Sequence, residues 1–329
     1  MASHQGLVLV LAATLDRWVG DPWGWPHPVQ AMGWAINRAC QGVFSLKLLP
    51  LTERAFGVLL GLGVIGGSGL VGWSIVHLAQ SVNPAVGVGI EVILLASCLA
   101  GRSLRQAATD VLRPVEAGDI PTAREHLARY VGRDTEHLDE PNILRAVLET
   151  VSENATDGVL APLFYALVGA FLPMGSVPLA LAYKAASTLD SMVGYRDAPY
   201  TYVGWFSARL EDGLTWLPCR LTVLTIALLS GRPGHVLRLC RRDAAADPSP
   251  NAGWSECAYA AALGVQLGGQ NSYRGQIKEK PLLGDAVQPI TGDRIRQALA
   301  YTRHAFLLWL ALGGSAMVAI ALWNDSLVR

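Results

Sequence analysis

Ala55 to Ala79 is a 25-residue run with no charge until His77. Crossing a hydrocarbon core takes about 20 apolar residues in helical form, so this run is long enough to span one. Inside a bilayer each backbone polar group must find its partner within the protein, so such a run must be helical. Asn83-Pro84 turns the chain, and Ala85 to Gly101 returns as a second apolar segment. Ala305 to Trp323 is a clean final one. The composition agrees: 51% of residues are hydrophobic and 16% charged, with a mean hydropathy of +0.32, against about 25% charged in ordinary soluble proteins. No alternating strand pattern stands out. The expected fold is an all-α integral membrane protein, a single domain over 1–329, with cytoplasmic loops at about 16–54, 102–157, 184–212 and 231–303.

The net charge of zero argues against nucleic acid as a partner, since such proteins carry a basic excess. Five cysteines, Cys40, Cys98, Cys219, Cys240 and Cys257, are odd in number and lack C-x-x-C spacing; free thiols are expected. Gly6 to Leu15 is apolar but short, with no Lys or Arg before it and no small-residue cleavage site after it. It reads as a short anchoring helix ended by Asp16, not a signal peptide. Gly61 to Gly66 fits G-x-G-x-x-G, but no strand precedes it and it sits in mid-span, which excludes a dinucleotide site. The pairs Gly57/Gly61 and Gly63/Gly67 have the spacing of close helix packing instead. Glu91 lies inside the second span. An ionisable residue there is a functional candidate, and pairing with His77 across the hairpin is the structural alternative.

Arginine and lysine set the sidedness. Loop 16–54 carries Arg17, Arg38, Lys47 and Arg54, loop 102–157 carries seven arginines, and the 80–84 turn has none. The positive-inside rule places both loops in the cytoplasm. In the second loop Asp119 is expected to cap a helix that Gly132 stops, and Asp139 to cap the next. That next helix has an apolar stripe of Ile143, Leu144, Val147, Leu148 and Val151.

Its end carries the densest chemistry: Ser152-Glu153-Asn154-Ala155-Thr156-Asp157-Gly158. Glu153 and Asp157 are four residues apart, one turn on the same α-helical face. Carboxylates so placed suit a divalent cation that grips phosphates; the alternative is a solvated helix end with a glycine stop. Val159 to Tyr183, with Pro162, Pro173 and Pro178, is one kinked span or a helical hairpin. Residues 183–196 then gather an ammonium, hydroxyls, a carboxylate and a guanidinium, including Lys184, Thr188, Asp190, Ser191, Tyr195 and Arg196. Lys184 read structurally is a lysine snorkelling at the membrane edge. Leu214 to Ser230 is interrupted by Pro218 and by Arg220, costly at mid-depth; this run and 159–183 are expected to be re-entrant or interfacial. The last loop holds Arg242-Asp243 and a turn-rich stretch, Asp247 to Glu256, which is expected to present Ser249 and Asn251. In the first loop, Asp21 and His27 sit within D-P-W-G-W-P-H-P-V, where three prolines favour extended backbone.

Four stretches in this order, D-P-x-x-x-P-H-P-V, S-E-N-x-x-D-G-V, Y-K-A-x-x-T-L-D-S-M-V-G-Y, and S-P-N-A-G-W followed by L-G-V-Q-L-G-G, resemble the CobD/CbiB family of adenosylcobinamide-phosphate synthases. The resemblance runs from Asp16 to about Gly284. It implies a multi-pass enzyme of the cytoplasmic membrane with its active face in the cytoplasm. The implied reaction joins a carboxyl of adenosylcobyric acid to the amine of an aminopropanol, or its O-phosphate, using ATP and Mg²⁺. Other membrane enzymes of late cobalamin synthesis are implied as partners, beside membrane lipid. Ser187 departs from the family's Asn, Thr215 and Cys219 from Asn and Ala, and Asp247 from a His; the last reverses the possible charge and is left out of the site.

A carboxylate and an amine condense only after activation, as through an acyl phosphate. That requires neutralised phosphate charge, cations that position phosphates, and a way to deprotonate the amine. Glu153, Asp157, Lys184 and Asp190 are the candidate catalytic residues, and Glu153, Asp157 and Asp190 the candidate Mg²⁺ ligands. Asp21, His27, Asn154, Thr188, Ser191, Tyr195, Arg196, Arg242, Asp243, Ser249, Asn251 and Glu256 are candidates for binding substrate and phosphate. There is no G-x-x-x-x-G-K-[ST], so ATP is not held by a P-loop. The alternative is a non-catalytic membrane sensor or scaffold of the related ampicillin-resistance accessory type.

Overall fold

Proline marks where many of the helices begin. In the computed structural model, which describes residues 2–20, 24, 27–46 and 48–328, Pro28, Pro50, Pro84, Pro121, Pro141 and Pro233 each lie in a first helical turn. There their missing N–H removes no hydrogen bond. Asp21 lies outside the described residues.

In chain order the helices are α1 (Ala2–Trp18), α2 (Pro28–Ser45), α3 (Pro50–Val82), α4 (Pro84–Ala96), α5 (Gly101–Glu116), α6 (Ile120–Leu127) and α7 (Glu140–Asn154). A π-helical turn, Ala155–Leu160, carries α7 into α8 (Ala161–Ala170). Then come α9 (Ser176–Val193), α10 (Trp205–Leu229), α11 (Pro233–Asp243) and α12 (Ala252–Leu263). The strands β1 (Leu267–Tyr273) and β2 (Gln276–Leu283) form one antiparallel hairpin, and α13 (Gly292–Val328) closes the chain. The all-α expectation holds, with this small ribbon as its one strand element among the described residues.

The chain, expected as one membrane domain, packs as two compact units. The first comprises Met1–Ala100, Ala161–Leu214 and Leu308–Arg329, the second Gly101–Leu160 and Thr215–Leu307. Both α10 and α13 therefore contribute to each. Among the described residues three helices are long and apolar enough to cross a membrane: α3, α10, and α13 as far as Trp323; α4 and α5, bent by 40°, make a fourth if taken as one span.

In the first unit α9 packs on α3, α8 and α2, and α4 packs on α3 and α1. A Cβ on Gly57 would fall 2.1 Å from the Val203 carbonyl oxygen, and one on Gly61 would strike the Phe206 ring. This pair permits close approach as its spacing predicts, whereas Gly63 and Gly67 have nothing within 4 Å of a built Cβ. The 159–183 run is the helical hairpin, α8 turning through Pro173 into α9. Gly6 to Leu15 lies within the longer α1. Glu91 does not pair with His77. It accepts from Gln5 Nε2 at 2.6 Å and contacts His4 Nε2 at 2.8 Å, while His77 stacks on Trp73. Gln5 Oε1 in turn accepts from Ser176 N and Oγ. Sequence reasoning chose the nearer helix; α1, which packs on α4, supplies the partners.

In the second unit Asp119 and Asp139 cap α6 and α7 through bonds from Thr122 N and Asn142 N. The stripe from Ile143 to Val151 is buried throughout. Helix α6 ends at Leu127, before Gly132, because residues 128–130 tighten into turns closed by His126 O and Leu127 O. Helix α10 is continuous through Pro218. Arg220, expected to disfavour a span, bonds the Pro250 carbonyl at 3.0 Å and lies against the Trp216 and Trp254 rings. Its cation is thus partnered by a carbonyl and two π faces.

Candidate functional site

The S-E-N-A-T-D-G stretch is neither a glycine-stopped helix end nor a plain α-helix. The chain runs on through Gly158 as the π-helical turn. Such turns are rare and recur at functional sites. The wider turn alters the one-turn stacking of Glu153 and Asp157 that an α-helix would give. Ser255 fastens the segment to α12: its Oγ donates to Ser152 O at 2.6 Å and meets Thr156 Oγ1 at 2.8 Å. Two of the sequence motifs, 152–158 and 249–256, are thereby brought side by side.

Between them lies a charged interior. Glu256 is fully buried on α12, and its Oε1 accepts from Lys280 Nζ on β2 at 3.0 Å. Glu149, also buried, accepts from Gly268 N at 3.0 Å through Oε1 and pairs through Oε2 with Arg133. Glu153 keeps part of its surface open yet is densely surrounded by protein, and it feels Lys280, Asp247, Glu149 and Arg133. Four carboxyls thus face two cations. Burial raises the Glu256 carboxyl to about 8; Lys280 opposes this, while Glu153 and Glu149 add to it. Glu153 moves the same way, again chiefly by burial. Burial alone would lower the Lys280 ammonium, but the three glutamates outweigh it and hold it above its ordinary range. The cluster therefore holds a fixed cation and at least one carboxyl that exchanges its proton near neutral pH.

The hairpin that delivers Lys280 is built locally. Arg274 and Gly275 both have positive φ, as a two-residue turn of this hand requires. Asp134 clamps it, accepting from Arg274 N at 2.9 Å, Gly275 N at 2.8 Å and Ser272 Oγ at 2.6 Å. Arg145 binds the other strand end through the Gly268 and Gln270 carbonyls.

Several expected site residues have structural duties. Ser249 is half-buried, and its Oγ accepts from Asn251 N and Ala252 N at the start of α12, where Asn251 is buried. A helix start needs acceptors for its free N–H groups, and this stretch supplies them. Arg242 is held by Asp243 at 2.6 and 2.8 Å and by Asp285 at 2.8 Å, and Asp243 also accepts from Gly284 N. Asn154 is exposed and bonds the Thr150 carbonyl. His27 caps α2, its Nδ1 accepting from Val29 N at 3.2 Å.

Lys184, Thr188, Asp190, Ser191, Tyr195 and Arg196 belong to the first unit. Lys184 and Asp190 are half-buried on α9. The hydroxyls of Thr188, Ser191 and Tyr195 donate back to the carbonyls of Lys184, Thr188 and Ser191. Arg196 is exposed. Asp157 is half-buried in the π-helical turn of the second unit.

The sequence reading passes over Lys280 and Arg133, aligns Glu149 with Glu153 and Asp157 on one helix face without including it in the site, and sets Asp247 aside. Glu149 carried a signal, four residues before Glu153. Lys280 carried almost none, because only the hairpin register turns it inward.

The profile of the CobD/Cbib protein family matches residues 9–302. The chain is 55% identical over 315 residues to a "Cobalamin biosynthesis protein CobD" of Synechocystis sp., covering 95% of this chain and 92% of that one. It is 43% identical to a protein of the same name in Klebsiella pneumoniae and 41% identical to a "Cobalamin biosynthesis protein CbiB" of Salmonella arizonae, each over 93% of this chain and 95% of the relative. No solved structure matches it. With the motifs in order and similarity along nearly its full length, this chain belongs to the CobD/CbiB family.

Proposed function

We infer that this chain serves cobalamin biosynthesis as a membrane amide ligase. It joins a carboxyl of adenosylcobyric acid to the amine of an aminopropanol, as the O-phosphate or free, with ATP as the driving co-substrate. The family membership supports the pathway. The observation that carries the chemistry is the Lys280–Glu256 contact within a cluster of four carboxyls.

Among the described residues no three His, Cys, Asp or Glu side chains gather in a ready-made metal cage. The donor set nevertheless fits Mg²⁺, which takes one or two carboxylates and completes its shell with water and substrate phosphate. Glu256 Oε2 and Asp247 Oδ2 are buried without a hydrogen-bond partner. Asp247 and Glu153 would hold the ion on this reading, with Asp157 in the same unit; Asp190 enters only through the resemblance. The ion supplies neutralisation of phosphate charge when bound.

The chain's own residues do the rest. Lys280 presents a fixed positive charge to an incoming phosphate or activated carboxyl, as a point charge rather than a planar fork. The amine reaches the site as an ammonium and attacks only after losing a proton. Glu256, whose buried carboxyl is raised to about 8, takes that proton without first needing a basic solution. Surrounding protein keeps water from the activated carboxyl. The cytoplasmic face is proposed as the working side, because the arginine-rich loop 102–157 belongs to the same unit as the cluster.

The test is ATP-dependent amide formation by the detergent-purified protein, with adenosylcobyric acid and either amine. Product dependent on both ATP and Mg²⁺ supports the ligase. Tight corrinoid binding with no turnover on either amine would favour the non-catalytic scaffold.

A further inference from the structure

A cleft of about 670 Å³ opens in the second unit beside the charged cluster. It lies in the size range of small-molecule sites, about 300–1,000 Å³. Its apolar walls include Leu112, Val115, Leu144, Leu282 and Ile290, and Gly268 forms part of its lining. Gly268 N is the group that Glu149 Oε1 accepts, so one peptide separates the cleft from the carboxyl cluster.

The charge of the lining is nearly balanced. Glu116 is paired with Arg296 at 2.5 Å, and Glu140 and Arg145 are of opposite sign. Arg145 spends its terminal nitrogens on the hairpin carbonyls, yet its buried Nε has no hydrogen-bond partner. Buried donors are nearly always satisfied, and because the Arg145 side chain is only half-buried, a shift of it would offer Nε to an acceptor in the cleft.

We propose that this cleft is the seat of the acyl substrate's uncharged body, an apolar, carbonyl-bearing ring edge that accepts from Arg145 Nε while its reacting carboxyl faces the Lys280–Glu256 cluster. This rests on the ligase reading above and adds to it where the large substrate lies and which group orients it. A phosphate-rich ligand does not suit this lining, because no unpaired lysine or arginine head faces it. A membrane lipid's acyl chain would leave Arg145 Nε unanswered.

The experiment uses the full chain in detergent, cobyric acid as probe, and its visible absorption as readout. Leu282 is 56% exposed, so Leu282→Trp fills the cleft without disturbing a core. Thr291→Trp, also at an exposed lining position, gives an independent block. Both variants are expected to raise the Kd for cobyric acid by about tenfold or more, the scale on which one misfitting side chain acts in a binding pocket, with ATP affinity unchanged. Wild-type affinity for cobyric acid in both variants would overturn the cleft assignment and leave the ligase reading standing. Failure of the wild-type protein itself to bind cobyric acid would overturn the ligase reading and the assignment with it.

Discussion

Lys280 Nζ lies 3.0 Å from Glu256 Oε1, where Glu256 is completely buried and Lys280 keeps 28% of its side chain exposed. Removing one partner of such a pair costs at most about 3–5 kcal/mol, and proton uptake by the orphaned carboxyl reduces this. Lys280→Met is therefore expected to fold with a lowered melting temperature and to lose amide formation. Lys280→Arg should regain stability but little turnover, because a planar fork does not replace a compact ammonium. Full activity of Lys280→Met would remove Lys280 from the site.

The raised Glu256 carboxyl sets a pH dependence of stability. Its pKa is 4.5 unfolded and about 8 folded, so across this window the folded state holds more protons. Stability is then fully present below about 4.5 and is lost as pH rises through about 8, with Glu153 acting in the same direction. Thermal unfolding in detergent from pH 5 to pH 8 should show the melting temperature falling, and Glu256→Gln should flatten that slope. A slope unchanged in the variant would assign it to other groups.

Glu153→Gln and Asp247→Asn are each expected to reduce amide formation by about 10²–10⁴, the usual weight of one positioned catalytic group. Both should still insert in the membrane and keep a cooperative melting transition. Near-normal turnover in both would rule out this end of the cluster as the reacting site.

Glu91→Ala leaves Gln5 Nε2 and His4 without their acceptor. A stranded buried donor costs about 1–3 kcal/mol, so the first unit should melt lower while Glu91→Gln retains most of its stability. The kcat of protein surviving in detergent should match wild type, because this network is structural. A selective loss of kcat in Glu91→Gln would give Glu91 a functional role instead.

Sidedness is open to thiol labelling, since the five native cysteines are buried. Ser191→Cys and Ala245→Cys, at exposed positions, should resist a membrane-impermeant reagent in intact cells and label after lysis. Strong labelling of either from outside would overturn its cytoplasmic placement.

The membrane character, the long helices and the Asp119 and Asp139 caps were all legible in the sequence, because length, hydropathy and capping act over a few neighbouring residues. The 159–183 hairpin was readable as one of two forms, its three prolines permitting both. Glu91's partners were not readable: they lie 86 and 87 residues away on α1, and local pattern carries no trace of such a distance. The site was half legible. Glu153 and Glu256 stand in recognisable motifs, but the π-helical turn obeys no strong sequence rule. Asp247 was set aside on charge alone, although a buried cluster containing Lys280 accommodates another acid. Ser249 shows that a polar residue in a proline-rich turn also serves a helix start, since its Oγ accepts from Asn251 N and Ala252 N.

The irregularity at the base of the hairpin has a consequence for charge. Leu267 pairs with Leu283 but Gly269 pairs with Lys280, so the register shifts between them, at Gly268. A Cβ there would fall 2.0 Å from the Pro281 carbonyl oxygen. Strand faces alternate by single residues, and β2 reads Lys278-Glu279-Lys280. Sliding the ribbon by one position would withdraw an ammonium from the interior and insert a carboxylate. One glycine without a side chain thus acts as a polarity selector, deciding whether the centre of this unit carries a counter-ion or a fifth negative group.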